Sequence, residues 1–162
     1  MTEMPTPRAA ARVILLDRHD RVFLMRFIAV ERDEGFVWIS PGGGLKDGES
    51  HEQAAVRELG EEIGLRDVAL GPCLWLRTHV FRFAGTLYEQ RERYYLCRIE
   101  SHDLGDHLNE DEAERQSITD HRWWSIDEIE ASTEFFAPGD LGRLLRSILR
   151  GELPDEPFVV GV

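Results

Sequence analysis

The sequence predicts an α/β fold in which a mixed β-sheet is sandwiched between helices, an α/β/α arrangement. Three observations predict it. Apolar runs of strand length recur through the chain, a capped amphipathic helix interrupts them near the middle, and further helical segments follow late. A length of 162 residues suits one domain around one core, and 42% hydrophobic residues is ordinary for a soluble globular chain. Residues 1–162 are therefore expected to form a single domain, with a core over about 8–150 and a C-terminal tail over 151–162.

The elements follow in order. Residues 9–16 and 22–27 are apolar runs separated by Asp17-Arg18-His19-Asp20-Arg21, which reads as a hairpin turn. Phe36-Val37-Trp38-Ile39-Ser40 is a short strand running into Pro41-Gly42-Gly43-Gly44, which reads as a loop. A helix opens at Ser50, where Ser50 and Gln53 have capping-box spacing, and Gly64 supplies its stop. Ala55, Leu59 and Ile63 recur at i+4 and form its inward stripe. Strands are expected over 68–83 and 93–99, then an acidic loop over about 101–115, then a strand over 120–125. Ser125 and Glu128 form a second capping box, and a last helix over about 139–150 carries Leu141, Leu144, Leu145 and Ile148 on one face. The tail after Gly151 is expected to lie on the surface or on a partner.

Composition narrows the function classes. The formal charge of −12 argues against general nucleic-acid binding, which needs a basic surface. It does not exclude a polyphosphate substrate, because a bound metal reverses the local sign of the field. No apolar run approaches the roughly 18 residues of a membrane span. The start MTEMPTPRAAAR lacks the basic and apolar stretches of a secretory signal, so a cytoplasmic protein is expected. Cys73 and Cys97 are far apart with no CxxC spacing, which predicts reduced thiols and speaks against zinc.

The chemistry is concentrated in residues 43–65, GGLKDGESHEQAAVRELGEEIGL. Glu58, Glu61 and Glu62 stand at i, i+3 and i+4 and share one helical face. Exposed like charges at that spacing cost about 0.2–0.5 kcal/mol per pair, so three glutamates alone are compatible with an ordinary solvated face. Their companions shift the reading. The glycine run lets backbone approach a ligand closely, and a carbonyl there offers another hard oxygen. Arg57 lies two helical turns beyond Glu49, where a bidentate pair would lock the loop onto the helix. Several carboxylates with oxygen-only ligands suit Mg²⁺ or Mn²⁺. Such a site implies metal-assisted attack of water on a phosphoanhydride, with one carboxylate left as general base.

These residues match, at every specified position, the Nudix box G-x5-E-x7-R-E-U-x-E-E-x-G-U, where U is a bulky aliphatic. Chance would supply such a match in roughly one chain in a million of this length and composition. Trp38 to Gly43 and His121 to Glu128 also resemble the family's flanks, so the likeness extends over roughly 8–150. The resemblance implies a Nudix-type sandwich that hydrolyses a nucleoside diphosphate linked to another moiety. By position, Glu58, Glu61 and Glu62 resemble the metal ligands, with the Gly42 carbonyl as a further ligand, and Glu49 and Arg57 resemble the supporting pair. A downstream glutamate is often recruited in this family. Glu110, Glu112 and Glu114 are the candidates, with Glu112 and Glu114 favoured. The resemblance also leaves a homodimer open.

Substrate choice is marked less clearly. The proline or tyrosine found some 15 to 18 positions past the box in certain subfamilies is replaced here by Val80, Phe81, Arg82 and Phe83. The base-binding candidates are Trp38, Trp75, Phe81, Phe83 and Tyr88, and the phosphate or sugar candidates are Arg26, Arg77 and Arg82. Two other readings compete. An isopentenyl-diphosphate isomerase-like enzyme would want a cysteine near the early strands, where neither Cys73 nor Cys97 lies. A noncatalytic Nudix-like sensor would be expected to have lost box glutamates, and here all are intact.

Overall fold

The computed structural model describes residues 3–28, 35–101 and 118–162. The chain runs β1 (Thr6–Leu16), β2 (Val22–Ile28), β3 (Phe36–Ile39), β4 (Gly42–Gly44), α1 (His51–Ile63), β5 (Cys73–Phe83), β6 (Thr86–Arg98) and β7 (Ile118–Trp124). It ends with α2 (Ile126–Ala131), α3 (Leu141–Leu149) and β8 (Phe158–Val159). The strands form one mixed sheet in the order β3-β2-β1-β6-β5-β8, with β4 pairing β1 and β7 pairing β2. β1 and β6 run parallel over eleven residue pairs, from Thr6 opposite Tyr88 to Leu16 opposite Arg98.

Alternation along β1 builds both faces of the sandwich, because successive side chains of a strand point to opposite sides. Ala11, Val13 and Leu15 pack with Ala54, Ala55, Leu59 and Ile63 of α1. Ile14 and Leu16 face the other way, onto a layer closed by Ile126 and Ile129 of α2 and by Leu141, Leu144, Leu145 and Ile148 of α3. Helices thus cover both faces of the sheet, as expected. α1 has the anticipated ends: the Ser50 hydroxyl accepts from Gln53 N–H, the Gln53 side chain returns the bond, and Gly64 closes the helix. The capping box at Ser125 and Glu128 is also formed.

The structure corrects three boundaries. Pro41 to Gly44 is not a plain loop, since Gly42–Gly44 is an antiparallel strand on β1, with Ala10, Ala11 and Arg12 opposite Gly44, Gly43 and Gly42. Glycines are a turn signal in sequence, but here they let two backbones and a helix meet without intervening side chains. β5 begins only at Cys73, because Gly71 and Pro72 bond irregularly to Leu96. β6 begins at Thr86, earlier than its apolar stretch indicates, since it forms a hairpin with β5 through Ala84 and Gly85, both at positive φ. The tail lies on the molecule itself: Phe158 and Val159 pair with Trp75 and Leu76 at the sheet edge. No helix is long and apolar enough to cross a membrane among the described residues.

Leu145, on the inward face of α3, is fully buried. Truncating a buried leucine costs its transfer energy plus the cavity left behind, about 2–5 kcal/mol. Leu145→Ala is therefore expected to lower unfolding free energy by about that amount in urea titrations. A loss under about 1 kcal/mol would mean that α3 is not part of the cooperative core.

Candidate active site

The site is assembled where β4 meets α1. Arg57 is its organising cation. Its Nε and Nη2 grip Glu49 at 2.8 and 2.9 Å, a bidentate contact, and Nη2 also donates to the Gly44 carbonyl at 3.0 Å. Its Nη1 donates to both Glu58 Oε1 and Glu61 Oε2 at 3.0 Å. One guanidinium therefore ties the helix entrance, the glycine strand and two box glutamates together. The hydrogen bonds from Arg57 hold the Glu49 carboxyl at about 2, well below its ordinary value. The same contact with Glu49 raises Arg57 above its already high value.

Glu62 reaches the strand directly, accepting the Gly42 N–H at 2.7 Å. Glu58 approaches Gly43 so closely that a Cβ there would lie 2.5 Å from its Oε1. Glu58 and Glu62 are buried, at 5% and 6% exposure, whereas the Glu61 side chain is 30% exposed. Lys46 Nζ stands 3.8 Å from Glu61. Four carboxylates, Glu49, Glu58, Glu61 and Glu62, are thus gathered with two cations, Arg57 and Lys46, which leaves a surplus of negative charge. All-oxygen donors with surplus negative charge and a backbone strand at contact distance fit a hard divalent cation. The described carboxylates are held by Arg57 and by the Gly42 amide, and among the described residues no three acidic, His or Cys side chains are already drawn to a single point. The Gly42 carbonyl accepts from Arg12 Nη1 at 3.1 Å, a partner the sequence reading did not foresee.

The substrate-side candidates divide. Trp38 is 3% exposed: its Nε1 donates to Glu134 at 3.0 Å and its ring packs edge-on against Trp124. Trp75 is likewise in the core. Arg77, a phosphate or sugar candidate by sequence, is 4% exposed and bound to Glu92 at 2.7 Å. All three lie in the interior, Trp38 and Trp75 in the core that α2 and α3 close and Arg77 opposite Glu92 across the β5–β6 hairpin. Arg26 lies over the Phe36 ring at 3.8 Å. Phe81 stacks on His79, with centroids 4.9 Å apart and planes at 15°, and stands 5.8 Å from Tyr88. Phe83 meets Phe27 at 6.3 Å, and Arg82 pairs with Glu3 at 2.6 Å. Glu110, Glu112 and Glu114 lie outside the described residues.

Arg12 and Glu92 were not anticipated, yet a signal existed. Arg12 interrupts the apolar run of β1 on the same face as Ile14 and Leu16, and a charge at an inward position demands a partner.

A mixed sheet between helices, with a glycine strand and an acidic helix in contact at one end, is an arrangement suited to a hard divalent cation and the phosphate oxygens it binds. Residues 6–144 match the NUDIX domain, and the chain belongs to the Nudix hydrolase family. An RNA pyrophosphohydrolase of Sphingopyxis alaskensis is 30% identical over 135 residues, covering 76% of this chain and 80% of that one. Another, from Shewanella frigidimarina, is 33% identical over 131 residues, covering 73% and 70%. The MutT protein of Methanosarcina mazei Go1 shares the fold at 16% identity, with a TM-score of 0.64 over 93% of this chain and 98% of that one. Hydrolases of this family work with a divalent metal ion.

The Glu49–Arg57 contact has a pH signature. The folded value of Glu49 lies near 2, below its ordinary 4.5, so the ionised carboxylate favours the fold above about pH 4.5. That contribution fades as pH falls from 4.5 towards 2. Urea unfolding should find wild type more stable than Glu49→Gln at pH 6, with the gap closing steadily below pH 4.5. A gap independent of pH would remove the ionic character of the contact.

Proposed function

We infer that this protein cleaves the phosphoanhydride of a nucleotide-type substrate with Mg²⁺ or Mn²⁺ held by Glu58, Glu61 and Glu62 beside the Gly42 carbonyl. The observation that carries this reading is the contact of three box glutamates with Arg57 and with the glycine strand. When bound, the cation neutralises diphosphate oxygens and acidifies the attacking water. The chain's own residues supply the frame. Glu49 fixes Arg57, Arg57 sets the spacing of Glu58 and Glu61, and Glu62 holds the Gly42 amide. Glu58 and Glu62 are the buried pair and Glu61 the one that water reaches, so a glutamate of this set can accept the proton of the attacking water.

Phosphate and base recognition is assigned to the aromatic and basic groups of the strands, with Phe81, Arg82 and Arg26 as contacts. Glu112 and Glu114 are proposed as a further ligand or base supplied by the acidic segment before β7. Because the chain resembles RNA pyrophosphohydrolases, a pyrophosphate linkage carried on an RNA is one candidate substrate. The charge of −12 limits such recognition to the terminal phosphates and first nucleotide rather than a long RNA track. A cytoplasmic protein, either monomer or homodimer, is consistent with this chemistry.

A panel of nucleoside diphosphate derivatives, dinucleoside polyphosphates and 5′-triphosphorylated oligonucleotides, assayed with Mg²⁺ and with Mn²⁺, tests the reading. Hydrolysis should require the cation and stop with a chelator. Glu61→Gln and Glu62→Gln should each lose on the order of 100-fold or more in kcat while remaining folded. Wild-type turnover in either variant would sink the assignment of the acidic helix.

A further inference from the structure

A buried charged cluster lies beside the glycine strand, outside the box and its flanks. Glu92, on β6, is 3% exposed and accepts from Arg12 Nε at 2.9 Å, Arg77 Nη1 at 2.7 Å, Gln90 Nε2 at 2.9 Å and the Tyr94 hydroxyl at 3.4 Å. An ionised carboxylate offers about four acceptor positions, so this one is fully used and fixed in orientation. Burial alone would raise the Glu92 carboxyl, but Arg12 and Arg77 outweigh it and hold it at about 2. Arg12 is fixed in turn. Its Nη1 reaches from β1 to the carbonyls of Ser40 at 3.2 Å and Gly42 at 3.1 Å.

The chain of contacts then arrives at the active site. The Gly42 unit accepts from Arg12 through its carbonyl and donates to Glu62 through its N–H at 2.7 Å. Val13 N–H donates to the Pro41 carbonyl at 2.9 Å on the same stretch. A buried ion pair adds little net stability over apolar packing, and Ile14 and Leu16 show that β1 packs apolar side chains on this face. What an apolar residue at position 12 could not supply is a rigid fork that meets a carboxylate and two carbonyls at once.

We propose that Arg12, gripped by Glu92, is a positioning residue that holds the Gly42 backbone, through its carbonyl, in the conformation that presents its N–H to Glu62, and so fixes the acidic helix relative to the glycine strand. Its catalytic consequence rests on the pyrophosphohydrolase reading above, whereas its structural consequence does not. The two are tested together in Arg12→Lys, which keeps a charge for Glu92 but replaces the fork with a single ammonium. Amide hydrogen exchange at Gly42, followed by NMR in metal-free protein, should accelerate by about tenfold or more, as expected for loss of one such hydrogen bond. With substrate and Mg²⁺, kcat should fall by about tenfold or more while KM stays within about twofold, since ground-state binding is not what Arg12 organises. Exchange at the wild-type rate overturns the proposal, and so does faster exchange with an unchanged kcat. If Arg12→Lys does not fold, Glu92→Gln keeps the shape of the clamp, removes its charge and must show the same pair of changes. Wild-type values there also overturn it. A wild-type protein that hydrolyses nothing in the panel would remove the functional reading, and the exchange rates would still decide whether the clamp exists.

Discussion

β4 lies against β1 and against α1 with no side chain to hold either away, and the charged groups of the site are arranged around that close approach. Gly42 adopts φ +145°, and a Cβ on it would strike the Ala11 carbonyl of β1. Gly43 leaves the Glu58 carboxylate in the place where a side chain would stand. The spacing between sheet and helix at this end is therefore set by backbone meeting carboxylate, not by interleaved apolar side chains as it is deeper in the core. Two arginines then fasten the strand from different elements. Arg57 of α1 donates to the Gly44 carbonyl, and Arg12 of β1 donates to the Gly42 carbonyl. Each is itself oriented by a glutamate, Glu49 in one case and Glu92 in the other.

Arginine suits both positions for the same reason. A lysine could neutralise Glu49 or Glu92, but it could not also reach a carbonyl and further carboxylates from one planar group. The electrostatic settings of the two clamps differ. Around Glu92 the carboxylate is deeply buried and balanced by Arg12 and Arg77, so its charge is spent inside the fold. Around Arg57 the carboxylates outnumber the cations, so attraction for a further cation remains. One cluster is built to stay closed and the other to receive charge.

The parts of this architecture that were legible in the sequence are the local ones. Ser50, Gln53 and Gly64 set the ends of α1 through contacts within a few residues, and the i+4 stripe of Ala55, Leu59 and Ile63 identifies its inward face. The Glu49–Arg57 pair was legible because both residues belong to one short motif. What was misread depends on pairing between distant segments. The glycine run became a strand because β1 was there to pair with it. The start of β6 was missed because Gln90 and Glu92, not apolar residues, occupy its inward positions, so hydrophobic alternation failed where an ionic cluster replaced the core. The partner of Arg77 was not legible because nothing near it in sequence reveals that it faces Glu92 across the hairpin.

The same distribution of charge bears on how the site would choose its ligand. A substrate diphosphate approaching Glu58, Glu61 and Glu62 meets like charge, and the chain as a whole carries −12. Arg57 cannot offset this, since its donors are already committed to Glu49, Glu58, Glu61 and Gly44. In the proposed reading, cation and substrate therefore bind interdependently: each supplies the charge that makes the other tolerable at the acidic helix. Discrimination among nucleotides then falls to groups away from the helix, because the box treats every diphosphate alike. Under the same proposal, the half-exposed aromatic run of His79, Phe81 and Tyr88 along the β5–β6 hairpin offers ring faces on which a base would stack.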